Sequence, residues 1–289
     1  MSFGIRSHSP QQAKAFALAT EFRNIIHMEY AVVCSIALVV SASTLFSGFG
    51  LGTVLMPAFA LFFPIQVAVA ATAVVHLANN IFKTLLVGKK ADWEVVAKFA
   101  LPGALAAAAG AATLNLFAGM PSVASYTIDG QTHDISTLKL AIGVVILIFS
   151  FLEFVPRFQR LSFDRKYLPI GGIISGFFGG LSGHQGAFRS AFLIKAGMST
   201  ESFVGTGTVA AVIIDMTRLF IYGLSFNFTQ FRELDSGIGV NLVVAATLSA
   251  FVGAFMGSRL LKKITLKTVQ LIVGILLAII GLGMITGLL

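Results

Sequence analysis

The chain has 289 residues, of which 56% are hydrophobic and only 11% charged, with a formal net charge of +8 and a mean hydropathy of +0.91. A soluble domain carries roughly 25% charged residues, so this composition excludes an ordinary soluble globular protein and reads as a multi-pass membrane protein. The positive charge does not point to nucleic acid, because the basic residues gather at the ends of apolar segments, as topology-setting residues do. Arg157, Arg160, Arg165 and Lys166 form one such cluster, and Arg259, Lys262, Lys263 and Lys267 another. Cys34 is the single cysteine, which leaves no intrachain disulfide and no thiolate cluster.

Residues 1–28 mix His8, Lys14, Glu21, Arg23 and His27 with apolar positions, so no cleaved leader is expected. Ala13, Phe16, Ala17, Ala19, Phe22 and Ile26 recur at near-helical spacing, which fits either a short interfacial helix or a frayed tail. A first transmembrane repeat is expected over 29–155. It opens with a long segment, 29–63, that Ser47-Gly-Phe-Gly-Leu-Gly52 interrupts, and continues with spans near 65–87, 95–118 and 138–155. Ala104 to Ala112 is a run of small residues that would let helices pack closely. A basic linker, 156–167, leads into a second repeat over 168–289. That repeat opens with the segment 168–196, interrupted by Gly179-Gly-Leu-Ser-Gly-His-Gln-Gly186, followed by spans near 201–223, 236–258 and 267–287.

The two glycine interruptions stand about 134 residues apart, in corresponding positions of the two halves. Each broken segment is too long for one simple helix, and unwound backbone in lipid must be buried in protein or line a wet cavity. Paired breaks of this kind point to a transporter's binding site. With the basic clusters, Lys89 and Lys90 inside, the loops 119–137 and 224–235 and the C-terminus lie outside. If each broken segment returns to the side it entered, the halves run in opposite directions, and the N-terminus lies outside despite Arg6, Lys14 and Arg23. A first segment that crosses fully puts it inside instead. The expected fold is an all-α polytopic membrane protein of two inverted repeats, each a Gly-broken helix or re-entrant hairpin plus about three spanning helices.

Certain short motifs carry a family resemblance. In the first half they are Ser47-Gly48, Gly50, Gly52 and Pro57, then Pro64-Ile-Gln-Val-Ala68 with Thr72, then Gly88-Lys-Lys-Ala-Asp92-Trp93. In the second half they are Ser175-Gly-Phe-Phe-Gly-Gly-Leu-Ser-Gly183, Gly197 and Gly205-Thr206. Over nearly all of residues 30–289 the chain resembles the sulfite exporter TauE/SafE family of small-anion transporters. It departs from that pattern at His184-Gln185-Gly186-Ala-Phe-Arg189, where a glycine run is usual, and lacks a proline near Ala191. The resemblance implies movement of sulfite or an organosulfonate-like anion across a bacterial inner membrane without an organic cofactor.

Ionisable groups inside apolar spans are costly unless they face a cavity or a partner, which makes Lys83, Arg189, Lys195, Asp215 and Arg218 candidates. Four cations against one acid favour an anionic ligand. Arg189 follows Gly186 by three residues, in the first turn of a returning helix, where free amides and the dipole favour an anion. With Ser182, His184 and Gln185 it would form an oxyanion cradle; alternatively it snorkels or pairs with a carbonyl. Asp215 and Arg218, three apart, are either a neutralised strut between helices or a gate in which substrate competes for Arg218; Lys83 would serve such gating or simply snorkel. Thr72, His76, Asn79 and Asn80 form a polar stripe that either lines the site or bonds helices together, and Ser47, Gly52 and Thr206 complete the candidate binding set. His76 and His184 are candidates for a coupling proton, or plain hydrogen-bond donors.

The expected function is therefore a secondary transporter of a small oxyanion, with an anion channel as the alternative using the same residues. No His-Glu-x-x-His cluster and no nucleotide-binding P-loop occurs, so neither an intramembrane enzyme, a metal site nor direct ATP drive is expected. Expected partners are the anionic substrate, the lipid bilayer, a coupling proton and, as the candidate assembly, a homodimer.

Overall fold

The computed structural model describes residues 10–43, 50–155, 161–225, 238–260 and 266–289. Among them are ten α-helices and one β-hairpin. Helix α1 is Pro10–Ser43, α2 Leu51–Ala60, α3 Ile65–Val87, α4 Trp93–Ala118 and α5 Thr137–Phe154. In the second half α6 is Leu168–Ser182, α7 Gly186–Leu193, α8 Thr200–Ser225, α9 Ile238–Leu260 and α10 Leu266–Thr286. The six unbroken spans read from hydropathy each correspond to one helix, α3 without a shift at either end. Four stretches, Ile65–Lys90, Trp93–Ala118, Thr200–Leu224 and Gly239–Gly257, are long and apolar enough to cross a membrane. Leu85, Leu101, Leu105, Met216, Phe220 and Leu248 face outward, an apolar exterior that suits lipid. Helix α1 runs unbroken through residue 28, where the hydropathy pattern sets the boundary of the leading segment.

Helix α4 packs along α6, α1 along α9 and α5 along α10, while α3 crosses α8. The first two contacts are backbone against backbone. A Cβ at Gly172, Gly176 or Gly180 of α6 would stand 2.1, 2.0 or 2.1 Å from a carbonyl oxygen of α4, and one at Gly253 of α9 would stand 2.2 Å from Leu38 O. Small residues permit this approach, and van der Waals packing then holds helices together where lipid offers no hydrophobic drive.

Charged residues gather at one end of the bundle. Arg165 Nη2 lies 3.0 Å from Glu94 and 3.5 Å from Asp92, and Lys90 pairs with Glu201. These pairs gather the starts of α4, α6 and α8 around the end of α3. Asp92 also caps α4, accepting from the Glu94 and Val95 amides at 3.1 Å each. At the opposite end strands β1, Ser122–Ile128, and β2, Gln131–Ser136, form an antiparallel hairpin within what the hydropathy pattern gave only as a loop. Asp129 and Gly130, at φ 50° and 79°, make its tight turn, and the Tyr126 hydroxyl ties it to the Thr286 carbonyl.

Candidate functional site

The two breaks meet inside the bundle. Gly50, at φ 124°, precedes α2, and Gly183, at φ 84°, terminates α6; both conformations favour glycine. A Cβ on Gly52 would lie 3.0 Å from the Gly183 carbonyl oxygen, so the breaks touch backbone to backbone. Helix α2 starts with no side-chain cap, leaving the first-turn amides without intrahelical partners. Ser47 lies outside the described residues.

A cavity opens beside this contact. It is lined by Gly50 and Leu51 at the start of α2, by His76, Asn79, Asn80 and Lys83 of α3, by Arg189, Ser190 and Leu193 of α7, and by Phe203, Val204, Gly207 and Thr208 of α8. Residues spaced three or four apart share one helix face, so His76, Asn79, Asn80 and Lys83 reach the same space. Lys83 sits seven residues before Lys90, about 10 Å along the helix, so the cavity lies between the breaks and the basic end of the bundle.

The polar groups around the cavity divide into those already satisfied and those held ready. Asp215 is fully buried, and its two oxygens are crowded. Its Oδ1 accepts from Gln185 Nε2 at 2.8 Å and Arg218 Nε at 2.9 Å, and Arg218 Nη2 lies 2.8 Å away without hydrogen-bond alignment. His76 Nδ1 meets Oδ2 at 2.6 Å. Asn80 Nδ2 donates to the His76 carbonyl at 2.9 Å and lies 3.4 Å from the same Oδ2. Arg189, buried in α7, donates from Nη1 to Gln185 Oε1 at 3.3 Å. The Gln185 amide thus bridges a cavity cation to the buried carboxylate. Asn79 Oδ1 accepts from Ser41, but its buried Nδ2 has no partner among the described residues. Lys83 is 6% exposed and likewise has no hydrogen-bond or ion-pair partner among the described residues. A buried ammonium and an unsatisfied amide donor in one cavity are expensive in isolation, and an anion would satisfy both.

The expected cradle of Ser182, His184, Gln185 and Arg189 is divided by the fold. Only Arg189 lines the cavity, while Gln185 stands behind it. The left-handed turn at Gly183 aims the other two elsewhere. Ser182 Oγ donates to Phe178 O at 3.1 Å, and His184 lies against Phe149 with ring centroids 4.8 Å apart, its Nδ1 3.1 Å from Ser182 O. Thr206 faces the start of α4, where its Oγ1 accepts from the Asp92 amide at 2.9 Å. Thr72 is buried one turn before His76, its hydroxyl unpartnered among the described residues and outside the cavity lining. Lys195 is exposed. Asp215 and Arg218 pair directly, as their spacing allows, but the pair is also bonded to α3 and α6: Arg218 Nη1 donates to Gly179 O at 3.1 Å. Ser190, Gly207 and Phe203 were not singled out by sequence pattern. The first adjoins Arg189 in α7, whereas Gly207 and Phe203 become wall residues only because α8 crosses α7.

Comparison with known families matches residues 33–284 to Sulfite exporter TauE/SafE, and the chain belongs to that family. The family comprises membrane transporters, not enzymes, and the match over nearly the whole chain together with the apolar helices identifies an integral membrane transport protein. No curated protein and no solved structure matches the chain significantly.

Proposed function

We propose that the chain is a secondary transporter that carries a small oxyanion, such as sulfite or an organosulfonate, across a bacterial inner membrane by alternating access. The observation that carries this reading is the cavity beside the contact between the breaks, where Lys83, Arg189 and an Asn79 amide without a partner among the described residues converge. Arg189 offers the planar fork suited to a sulfonate or sulfite edge.

The halves 29–155 and 168–289, joined by the linker 156–167, are read as inverted repeats. The packing pattern supports this. Exchanging α1–α5 with α6–α10 maps the α4–α6 contact onto α9–α1 and the α4–α8 contact onto α9–α3, and maps α3–α8 and α5–α10 onto themselves. The site then lies on the pseudo-symmetry axis, and rocking one half against the other would open and close the Gly52–Gly183 contact. Gln185 links binding to that motion. An anion that takes Arg189 Nη1 displaces Gln185 Oε1, and Gln185 is also bonded to Asp215 and lies two residues from Gly183. His76, against Asp215 and on the cavity wall, is the candidate proton carrier.

The test is transport in reconstituted vesicles. Concentrative, gradient-driven movement of sulfite or a sulfonate, lost in Arg189→Ala, is expected. Flux that only dissipates a gradient would make the protein an anion channel, and Arg189→Ala transport equal to wild type would overturn the site.

A further inference from the structure

The closest helix contacts join helices from different halves of the chain. Gly172, Gly176 and Gly180 of α6 lie against the backbone of α4, and Gly110 of α4 returns the contact, where a Cβ would stand 2.1 Å from Phe177 O. Ile214 of α8, fully buried, fits over Gly103 of α4 and Gly179 of α6, its side chain 3.2 and 3.4 Å from where a Cβ would stand on each. Phe192 of α7 covers Gly171 of α6 in the same way. Across the cavity, a Cβ on Gly253 or Gly257 of α9 would stand 2.2 Å from Leu38 O or 2.3 Å from Ala42 O of α1. Phe251 of α9 stacks on Phe82 of α3 with ring centroids 4.9 Å apart, and α2 packs on α1 and α3. Backbones this close separate only by losing van der Waals contacts that lipid tails do not refill with the same fit. Each cluster therefore holds together as a unit.

The cavity lies on the boundary between these clusters, its walls from α2 and α3 belonging to one and its walls from α7 and α8 to the other. Contacts across that boundary are looser or can change partners. A Cβ on Gly52 would keep 3.0 Å from Gly183 O, and His76 and Asn80 of α3 reach over to Asp215 of α8. At the charged end the boundary tightens: a Cβ on Gly205 of α8 would stand 2.7 Å from Val87 O, Lys90 pairs with Glu201, and Thr206 accepts from the Asp92 amide. These contacts tie the junction between α3 and α4 to α8, as a pivot would. Building on the alternating-access reading above, we infer that the moving units are two bodies that exchange a helix between the sequence halves, α1, α2, α3 and α9 against α4, α6, α7 and α8. Exchanging α1–α5 with α6–α10 turns one body into the other. Helices α5 and α10 pack on each other, supply none of the described cavity wall and stand outside both bodies. Rocking then separates α3 from α4, which are neighbours in the chain, and keeps α4 with α6, which are not.

Distances between spin labels test this in full-length protein carrying Cys34→Ala, with thioether-linked labels on pairs of exposed positions changed to cysteine. The probe is sulfite or methanesulfonate, whichever the reconstituted protein concentrates. Leu116→Cys on α4 with Ile170→Cys on α6, and Leu85→Cys on α3 with Val244→Cys on α9, should keep their separations when the anion is added. Val74→Cys on α3 with Leu116→Cys on α4 should shift by more than about 2 Å. A shift between α4 and α6 with α3 and α4 fixed is the pattern of rocking sequence halves and would overturn the exchange. A fixed α3–α4 distance in labelled protein that still transports would overturn it too. Cross-linking Glu94→Cys to Arg165→Cys, in place of their ion pair, should leave the transport rate at that of the same variant before cross-linking, and loss of transport would show that α4 and α6 must part. Failure of the wild-type protein to concentrate either anion would instead overturn the transport reading itself.

Discussion

The two breaks use one local device, a glycine that frees the chain from helical geometry, for different purposes. The first, at Gly50, leads into an entirely uncharged helix whose first nine residues are buried, from Leu51 to Phe59. It brings backbone amides and a close surface, and its side chains join the core. The second, at Gly183, leads into His184, Gln185 and Arg189, all buried and polar. Half of the site is therefore shape and half is charge. The two breaks therefore differ in chemistry. A ligand bound between them, as proposed, would meet amides from one side and a guanidinium from the other.

The sharpest test of this contrast lies behind the second break. Arg218→Ala would leave Asp215 buried with its strongest partner gone, at a cost of about 3–5 kcal/mol. Expression and melting temperature should fall together. The double change Arg218→Met with Asp215→Leu should recover much of the loss without recovering transport, and a double variant no more stable than Arg218→Ala would mean that the pair does not act as a strut. Arg189→Ala comes next. Losing a charged donor should cost roughly 1.5–3 kcal/mol of anion binding, more than tenfold in affinity, with little change in melting temperature. An equal effect on stability and affinity would place Arg189 among the struts.

The glycines themselves rank third. Gly183→Ala must place a side chain in a left-handed conformation, costing about 1–2 kcal/mol, whereas Gly52→Ala keeps a helical φ and presses a Cβ to 3.0 Å from the Gly183 backbone carbonyl. Gly183→Ala should be the less stable of the two, and the reverse order would show that contact between the breaks matters more than their conformation. Thr206→Ala should have the smallest effect. It removes the acceptor for the Asp92 amide, about 1 kcal/mol, and anion affinity should not change.

Much of the fold was legible because hydropathy over about 20 residues is a strong signal and lipid tolerates few alternatives to helices. The hairpin is invisible to hydropathy because its two strands are short and largely exposed, and only Asp129-Gly130 marks its turn. In the site, Lys83, His76, Asn79, Asn80 and Arg189 stood out because polar groups in apolar spans are costly, and all five line the cavity. Ser182, His184 and Thr206 carried the same signal and lie elsewhere. Ser182 and Thr206 are satisfied locally or across a helix contact, through Phe178 O and the Asp92 amide, whereas His184 meets Ser182 O through Nδ1 and its Nε2 has no partner among the described residues.

The sequence by itself determined that the chain lives in a membrane, how its spans are spaced, where its helices break and which side chains are too polar to face lipid. These properties are local, since each depends on residues within a few helical turns of one another. The tertiary structure alone decided which of those side chains share a cavity and which are spent on neighbours. That choice follows from how helices far apart in the chain cross, with α3 against α8 and one glycine break against the other, and from a left-handed Gly183 that separates His184 from Arg189. The same interruptions that mark the two halves in sequence come to line one cavity only when packing sets Gly50 and Leu51 beside Arg189.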